Sequence, residues 1–206
     1  MKRLLIVAAV VAAVAAGWTW DDRAQASSSS STLDRVGTTI AMRPAEVRCV
    51  DQDADPQLSN AWGYTYLPWN FAVVDAMLCD AIGDELGFPV VHLAAPPPPT
   101  VSGAHSFGRV PRERGYAPEF GDEWKAANAV LVMTHEMFHV RRWALRGSES
   151  AVECRAIRHS RVVARLLGFS EPRARELLAW QLAFHWRIGV LAPEYRSENC
   201  EVPWPY

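Results

Sequence analysis

Apolar and polar positions recur along this chain with two periods, and the changes of period outline its elements. The longest helical signal covers residues 122–146, which contain no proline or glycine. Within it Asn128, Leu131, His135 and His139 fall on one face, which is therefore largely apolar. Acidic Asp122 and Glu123 open the segment and Arg141, Arg142 and Arg146 close it, as the helix dipole favours. Gly147 is a natural C-cap. Ser148 can cap a second helix running to Leu167, with Gly168 after it. Ser170, Glu171 and Pro172 start a third, which runs to Ile188 and presents Leu177, Trp180, Phe184 and Ile188 as its core face.

The first half of the chain has shorter signals. Residues 61–67 alternate and are rich in aromatics, which predicts a strand. Residues 70–83 read as a helix burying Val73, Val74, Met77 and Leu78, and residues 89–93 as a second short strand. Residues 95–121 are rich in proline and glycine and lead straight into the long helix. So long a loop inside a compact domain is uncommon and is often functional, so it is expected to line or cover a cleft. No internal repeat is visible.

At the N-terminus Met1, Lys2 and Arg3 precede an apolar Leu/Ala/Val run to Ala16, and Ala24-Gln25-Ala26 is a permissible cleavage site. The expected division is therefore a signal peptide or membrane anchor at 1–26, a Ser-rich linker at 27–44 and one domain at 45–206. Either fate of the leader places the rest outside the cytoplasm, secreted or held at the outer face of the membrane. Contact with a membrane is expected only through that segment, if it is uncleaved.

The composition is 50% hydrophobic, enough for a core, and the net charge of −2 with no basic, aromatic-interleaved patch excludes nucleic acid as a target. The arginines lining the two motif helices read as solvated faces. Four cysteines, Cys49, Cys79, Cys154 and Cys200, allow three pairings, and an even count in an exported chain argues for disulfides. Sequence locality favours Cys49 with Cys79 and Cys154 with Cys200.

The chemistry lies in the long helix, which reads His135-Glu136-Met137-Phe138-His139. Residues four apart on a helix share a face, so both imidazoles can meet one zinc ion. Glu136 lies beside the first of them, where its carboxylate can take a proton from an activated water. The bland alternative is a buried helix whose histidines merely pack, but a buried histidine pair needs partners, and a metal serves both at once.

A catalytic zinc takes a third protein ligand, and the next helix offers Glu149 and Glu153. If the two helices fold back antiparallel at Gly147, His139 lies about 12 Å before the turn, Glu153 about 9 Å beyond it and Glu149 about 3 Å. That levelling favours Glu153 as ligand, with Glu149 as its rival.

The pentad resembles that of the zincin metallopeptidases. Glu149-x-x-x-Glu153 is similar to the pattern of their gluzincin branch, in which a glutamate on the following helix is the third ligand and a second acid supports a histidine; that pattern points to Glu149. The mature chain also resembles a group of small exported actinobacterial proteins of zincin type. The resemblance rests on Gly63-Tyr64-Thr65, Cys79, the pentad, Glu149 to Cys154, and Pro193 to Cys200.

The resemblance implies an α+β, mostly α-helical zincin-like core with a small β element, and an exported Zn2+ metallopeptidase acting on a peptide or protein. Glu136 would be its general base. His105, Tyr116, Arg187 and Tyr195 are candidates to stabilise an oxyanion. The second reading is a disulfide-stapled exported binding module that keeps the scaffold without turnover.

Overall fold

A computed structural model describes residues 31–58, 61–66, 70–96, 123–141, 149–191 and 200. The expected leader at 1–26, most of the Pro/Gly-rich stretch, Gly147 and Ser148 lie outside the described residues. So do His105, Tyr116, Tyr195 and the side chain of Arg187.

Five helices surround a three-stranded sheet among the described residues, an α+β arrangement that is mostly helical. They are α1 (Ser31–Ala41), β1 (Glu46–Val50), β2 (Gly63–Tyr66), β3 (Phe71–Asp75), α2 (Ala76–Leu86), α3 (Glu123–Arg141), α4 (Glu149–Leu167) and α5 (Glu171–Leu191). The sheet order is β1-β3-β2. β3 runs parallel to β1 and antiparallel to β2, in a register that sets Thr65 opposite Ala72 and Cys49 opposite Val74. β2 is thus an outer strand.

α3 is the centre of the fold. It packs against α1, α2, α4 and α5 and against β2 and β3. Nearly its whole circumference is buried, from Trp124 to Val140, which is the expected state of a helix apolar on every side. The polar groups it buries are met locally or across helices. Thr134 donates to the Val130 carbonyl at 2.6 Å, and Gln181 of α5 donates to the Ala127 carbonyl at 2.8 Å. Arg173 of α5 sits among Glu85 of α2, Glu123 of α3 and Glu176, at 2.6–2.9 Å, and ties three helices together.

The structure differs from three expectations. Residues 31–41, inside the anticipated linker at 27–44, form helix α1. Leu33, Val36, Ile40 and Ala41 are buried at i, i+3, i+7 and i+8, a periodicity hidden behind the serine run. Asp34 accepts from the Val47 amide at 2.8 Å, and Thr38 bonds both polar groups of Ala45, so α1 is stitched to β1. Burial lifts the Asp34 carboxyl to about 6.

The segment read as one helix from 70 to 83 is strand β3 followed by helix α2. All five β3 residues are buried, and a continuous apolar run has no period by which to tell a central strand from a buried helix. Asp75 marks the change, since its carboxylate caps α2 by accepting from the Met77 amide at 2.9 Å. Residues 89–93 form no named strand; His92 makes an isolated bridge to Cys49, and the Leu93 amide donates to the Cys49 carbonyl.

Strand β2 falls inside the predicted 61–67, and α3, α4 and α5 fall where periodicity places them. Gly168, at φ 121°, ends α4 with the amides of Gly168 and Phe169 turned back onto the Ala164 carbonyl. Both expected disulfides are present. Cys49–Cys79 joins β1 to α2, and Cys154–Cys200 holds residue 200 against the second turn of α4. Two such bridges belong to an oxidising compartment. No helix of the described residues is long and apolar enough to cross a membrane.

Candidate metal centre

His135 and His139 lie one turn apart on α3, and the spacing that predicts their convergence is realised. Their Nε2 atoms are 3.0 Å apart and both rings are buried, at 4% and 1% exposure. Glu149, the first residue of α4, places Oε2 3.0 Å from His135 Nε2 and 3.4 Å from His139 Nε2. These three residues form a group able to hold a metal ion. Glu153, one turn further along α4, places Oε2 2.8 Å from the other nitrogen of His135, Nδ1.

Of the two glutamates, the structure brings Glu149, the rival candidate, to both histidines and sets Glu153, the favoured one, on the far nitrogen of His135. The levelling argument treats both helices as meeting at a tight turn, which sets Glu149 too close to that turn. Instead the first residue of α4 is already level with the pentad. One helical turn, about 5.4 Å, separates the two glutamates, and the His135 imidazole spans the gap between them. Contacts move back along α3 as they move forward along α4, the sense of an antiparallel pair.

The donor set suits a tetrahedral ion. Zinc–nitrogen bonds of about 2.0 Å in a tetrahedron keep neighbouring ligand atoms about 3.3 Å apart. The separations here are 3.0, 3.0 and 3.4 Å. Glu149 Oε1 is buried and has no hydrogen-bond partner among the described residues, which leaves it the capacity for a further bond. A carboxylate on Nδ1 keeps the proton there and leaves Nε2 as the ligating atom, the usual arrangement around a metal-bound histidine.

The electrostatics of this cluster are strongly coupled. Burial opposes charge on His135, but the hydrogen bonds to Glu149 and Glu153 outweigh it and push the imidazole up to about 10. Burial would likewise raise Glu149, yet both histidines hold it down at about 2. His139 is lowered by desolvation, against the pull of Glu149. Before metal is added, therefore, the proton belongs to His135 and the charge to Glu149.

Glu136 reaches the sheet through one of its carboxyl oxygens. It is 2% exposed, and burial lifts its carboxyl to about 8, with the His135 imidazole and the Thr65 hydroxyl opposing the rise. Thr65 Oγ1 lies 2.6 Å from Glu136 Oε2 and 2.9 Å from the backbone carbonyl oxygen of the same residue. Gly63, on the same face of β2, makes this approach possible. A Cβ there would come within 2.6 Å of Val132 Cγ1, 2.9 Å of the Val73 carbonyl oxygen and 3.4 Å of Glu136 Cγ.

Thr65 is the site residue that the sequence reading passes over as a contact. Its signal is the alternation Gly63-Tyr64-Thr65, which puts the two small residues of β2 on one face and Tyr64 on the other. A small-residue face is where a helix can come close. His159 and His92 stand outside the centre. His159 donates from Nδ1 to the Arg155 carbonyl and meets the Phe138 ring edge-on. His92 bridges Asp51 and Asp80.

A large open cleft among the described residues, about 1220 Å³, is elsewhere. Asp51, Asp53, Asp80, Asp84, Glu123 and Arg173 help to line it, and no pentad residue does. In the buried cluster, by contrast, the donor atoms converge on one point.

No protein-family profile matches this chain, and neither the curated proteins nor the solved structures contain a match to it. The functional reading therefore rests on the geometry of the site.

Proposed function

We propose that the protein is a metal-dependent hydrolase, with zinc held by His135, His139 and Glu149. Within that class the reading is narrower: an exported metallopeptidase of zincin type. The observation that carries it is the convergence of three ligand atoms at 3.0–3.4 Å beside a buried, strand-anchored Glu136. A purely structural metal site has no use for such a carboxylate.

Zinc in this position supplies a Lewis acid that activates water and polarises a carbonyl. The chain's own residues do the rest. Glu153 holds the His135 ring in one orientation through Nδ1. Glu136 takes the proton of the attacking water and returns it to the leaving amine. Support for an extended peptide as substrate comes from β2. Its outer edge pairs with no strand among the described residues, and such an edge can take a further strand alongside Thr65 and Glu136. The two disulfides suit a protein that works after export.

The test uses two substitutions and one assay. Purified protein is expected to hold about one zinc per chain and to cleave members of a pooled peptide library read by mass spectrometry. Glu136→Gln keeps the zinc and loses at least about 100-fold in turnover, and His135→Ala holds no zinc. Unchanged zinc in His135→Ala would sink the metal centre. Full turnover in Glu136→Gln would remove that residue from the chemistry. A zinc-loaded wild type that cleaves nothing would leave the binding-module reading in its place.

A further inference from the structure

Glu136 could be buried by apolar packing alone, yet the sheet offers it a hydroxyl. Thr65 is 1% exposed and lies on the face of β2 that turns to α3. Its Oγ1 stands 2.6 Å from Glu136 Oε2 and 2.9 Å from the Glu136 carbonyl oxygen. A hydroxyl carries one proton and two lone pairs, so it either shares that proton between the two oxygens or, when the Glu136 carboxyl is protonated, accepts from it while donating to the carbonyl. The carboxylate is thereby tied, through one atom, to its own backbone. A rotation of the Glu136 side chain breaks the first contact, and a shift of the helix breaks the second.

Gly63 sets the distance across which this happens, because any Cβ there would press on Val132, on the Val73 carbonyl oxygen and on Glu136 Cγ. The antiparallel pairing of β2 with β3 fixes Thr65 opposite Ala72, so the hydroxyl is delivered by the sheet rather than by a loop. A side chain built on a strand holds its position more closely than one on a connection.

We infer that Thr65 is a positioning residue for the reaction, whose hydroxyl locks the Glu136 carboxylate in the one orientation that serves the metal centre. It rests on the reading of Glu136 as general base. Thr65 itself meets neither the ligand set nor substrate in this account. Its effect passes through Glu136, and misplacement of a catalytic group by about 1 Å is enough to cost about 100-fold in rate.

The experiment compares wild type, Thr65→Val, Thr65→Ser and Glu136→Gln in the full folded chain, each loaded with zinc. Valine keeps the shape and the strand preference and removes the hydroxyl; serine keeps the hydroxyl. Zinc content is expected to be the same in all four, which separates the lock from the ligand set. On a peptide selected from the library, Thr65→Val is expected to lose about 10- to 100-fold in kcat with little change in KM, and Thr65→Ser to recover most of that loss. Thr65→Val turning over at the wild-type rate would overturn the proposal.

A second readout does not depend on turnover. In protein carrying carbon-13 glutamate, the Glu136 carboxyl resonance is identified as the one missing from Glu136→Gln. It is expected to shift or broaden in Thr65→Val and to return in Thr65→Ser. An unmoved resonance in Thr65→Val refutes the lock, whatever the chain hydrolyses. If wild type turns over no faster than Glu136→Gln, the hydrolase reading fails, and the resonance alone still decides whether Thr65 holds the carboxylate.

Discussion

At the scale of single residues, the two glutamates of α4 have different work despite sitting one turn apart. Glu149 meets both Nε2 atoms, whereas Glu153 meets only the far nitrogen of His135. Glu153→Gln is expected to weaken zinc binding by about 10- to 100-fold, the usual effect of losing a partner behind a ligand. Glu149→Gln should cost more, because it removes a ligand. Competition with a chromophoric chelator gives both affinities, and equal losses in the two variants would refute the assignment.

Protonation adds a second residue-scale expectation. The His135 imidazole, held up at about 10, carries a proton at neutral pH before metal arrives. A metal must displace that proton, so zinc binding at pH 7 should release about one proton and weaken as pH falls. Calorimetry in two buffers of different ionisation heat measures the release, and identical heats would contradict it. The pentad was legible in the sequence because a spacing of four encodes a shared face. The choice between Glu149 and Glu153 was not. It depends on how far along α3 the next helix starts, a property of the connection and not of either helix.

At the scale of elements, the contact of β2 with α3 governs the site. Gly63→Ala would drive a methyl group to 2.6 Å from Val132 Cγ1 and 2.9 Å from the Val73 carbonyl oxygen. The side chain can turn aside, but the backbone of the neighbouring strand cannot. A destabilisation of about 1–3 kcal/mol is expected, visible as a lower urea midpoint. Adding Val132→Ala should recover only part of it, since the backbone clash remains; complete recovery would show that the side chain alone sets the gap. The elements themselves were unevenly legible. The three C-terminal helices announced themselves through length and acidic starts, and α4 also through the glycine at its end. β3 did not, because Phe71 to Asp75 is apolar without a period, and α1 did not, because a serine run masked its start.

At the scale of the whole molecule, two covalent ties and one arginine hub frame the central helix. Cys49–Cys79 spans 30 residues and Cys154–Cys200 spans 46. Chain-entropy arguments give about 4 kcal/mol for each loop. Replacing either pair by alanine should lower the thermal midpoint markedly, and by similar amounts, in a calorimetric scan. A loss for only one pair would mean that the other closes a region already ordered. Locality favoured the observed pairing among the three possible ones. The long Pro/Gly-rich stretch has no period to read.

The anchoring of Glu136 by a strand sets a limit on transplanting this centre. The ligands come from two neighbouring helices, which invites a designer to lift α3 and α4 as a hairpin. That fragment would carry His135, His139, Glu149 and Glu153, and leave Thr65 behind in the sheet. A graft made that way is a recipe for a metal-binding hairpin with an untethered carboxylate. A working copy has to bring β2 with it, and with β2 the β3 strand that holds β2 in register.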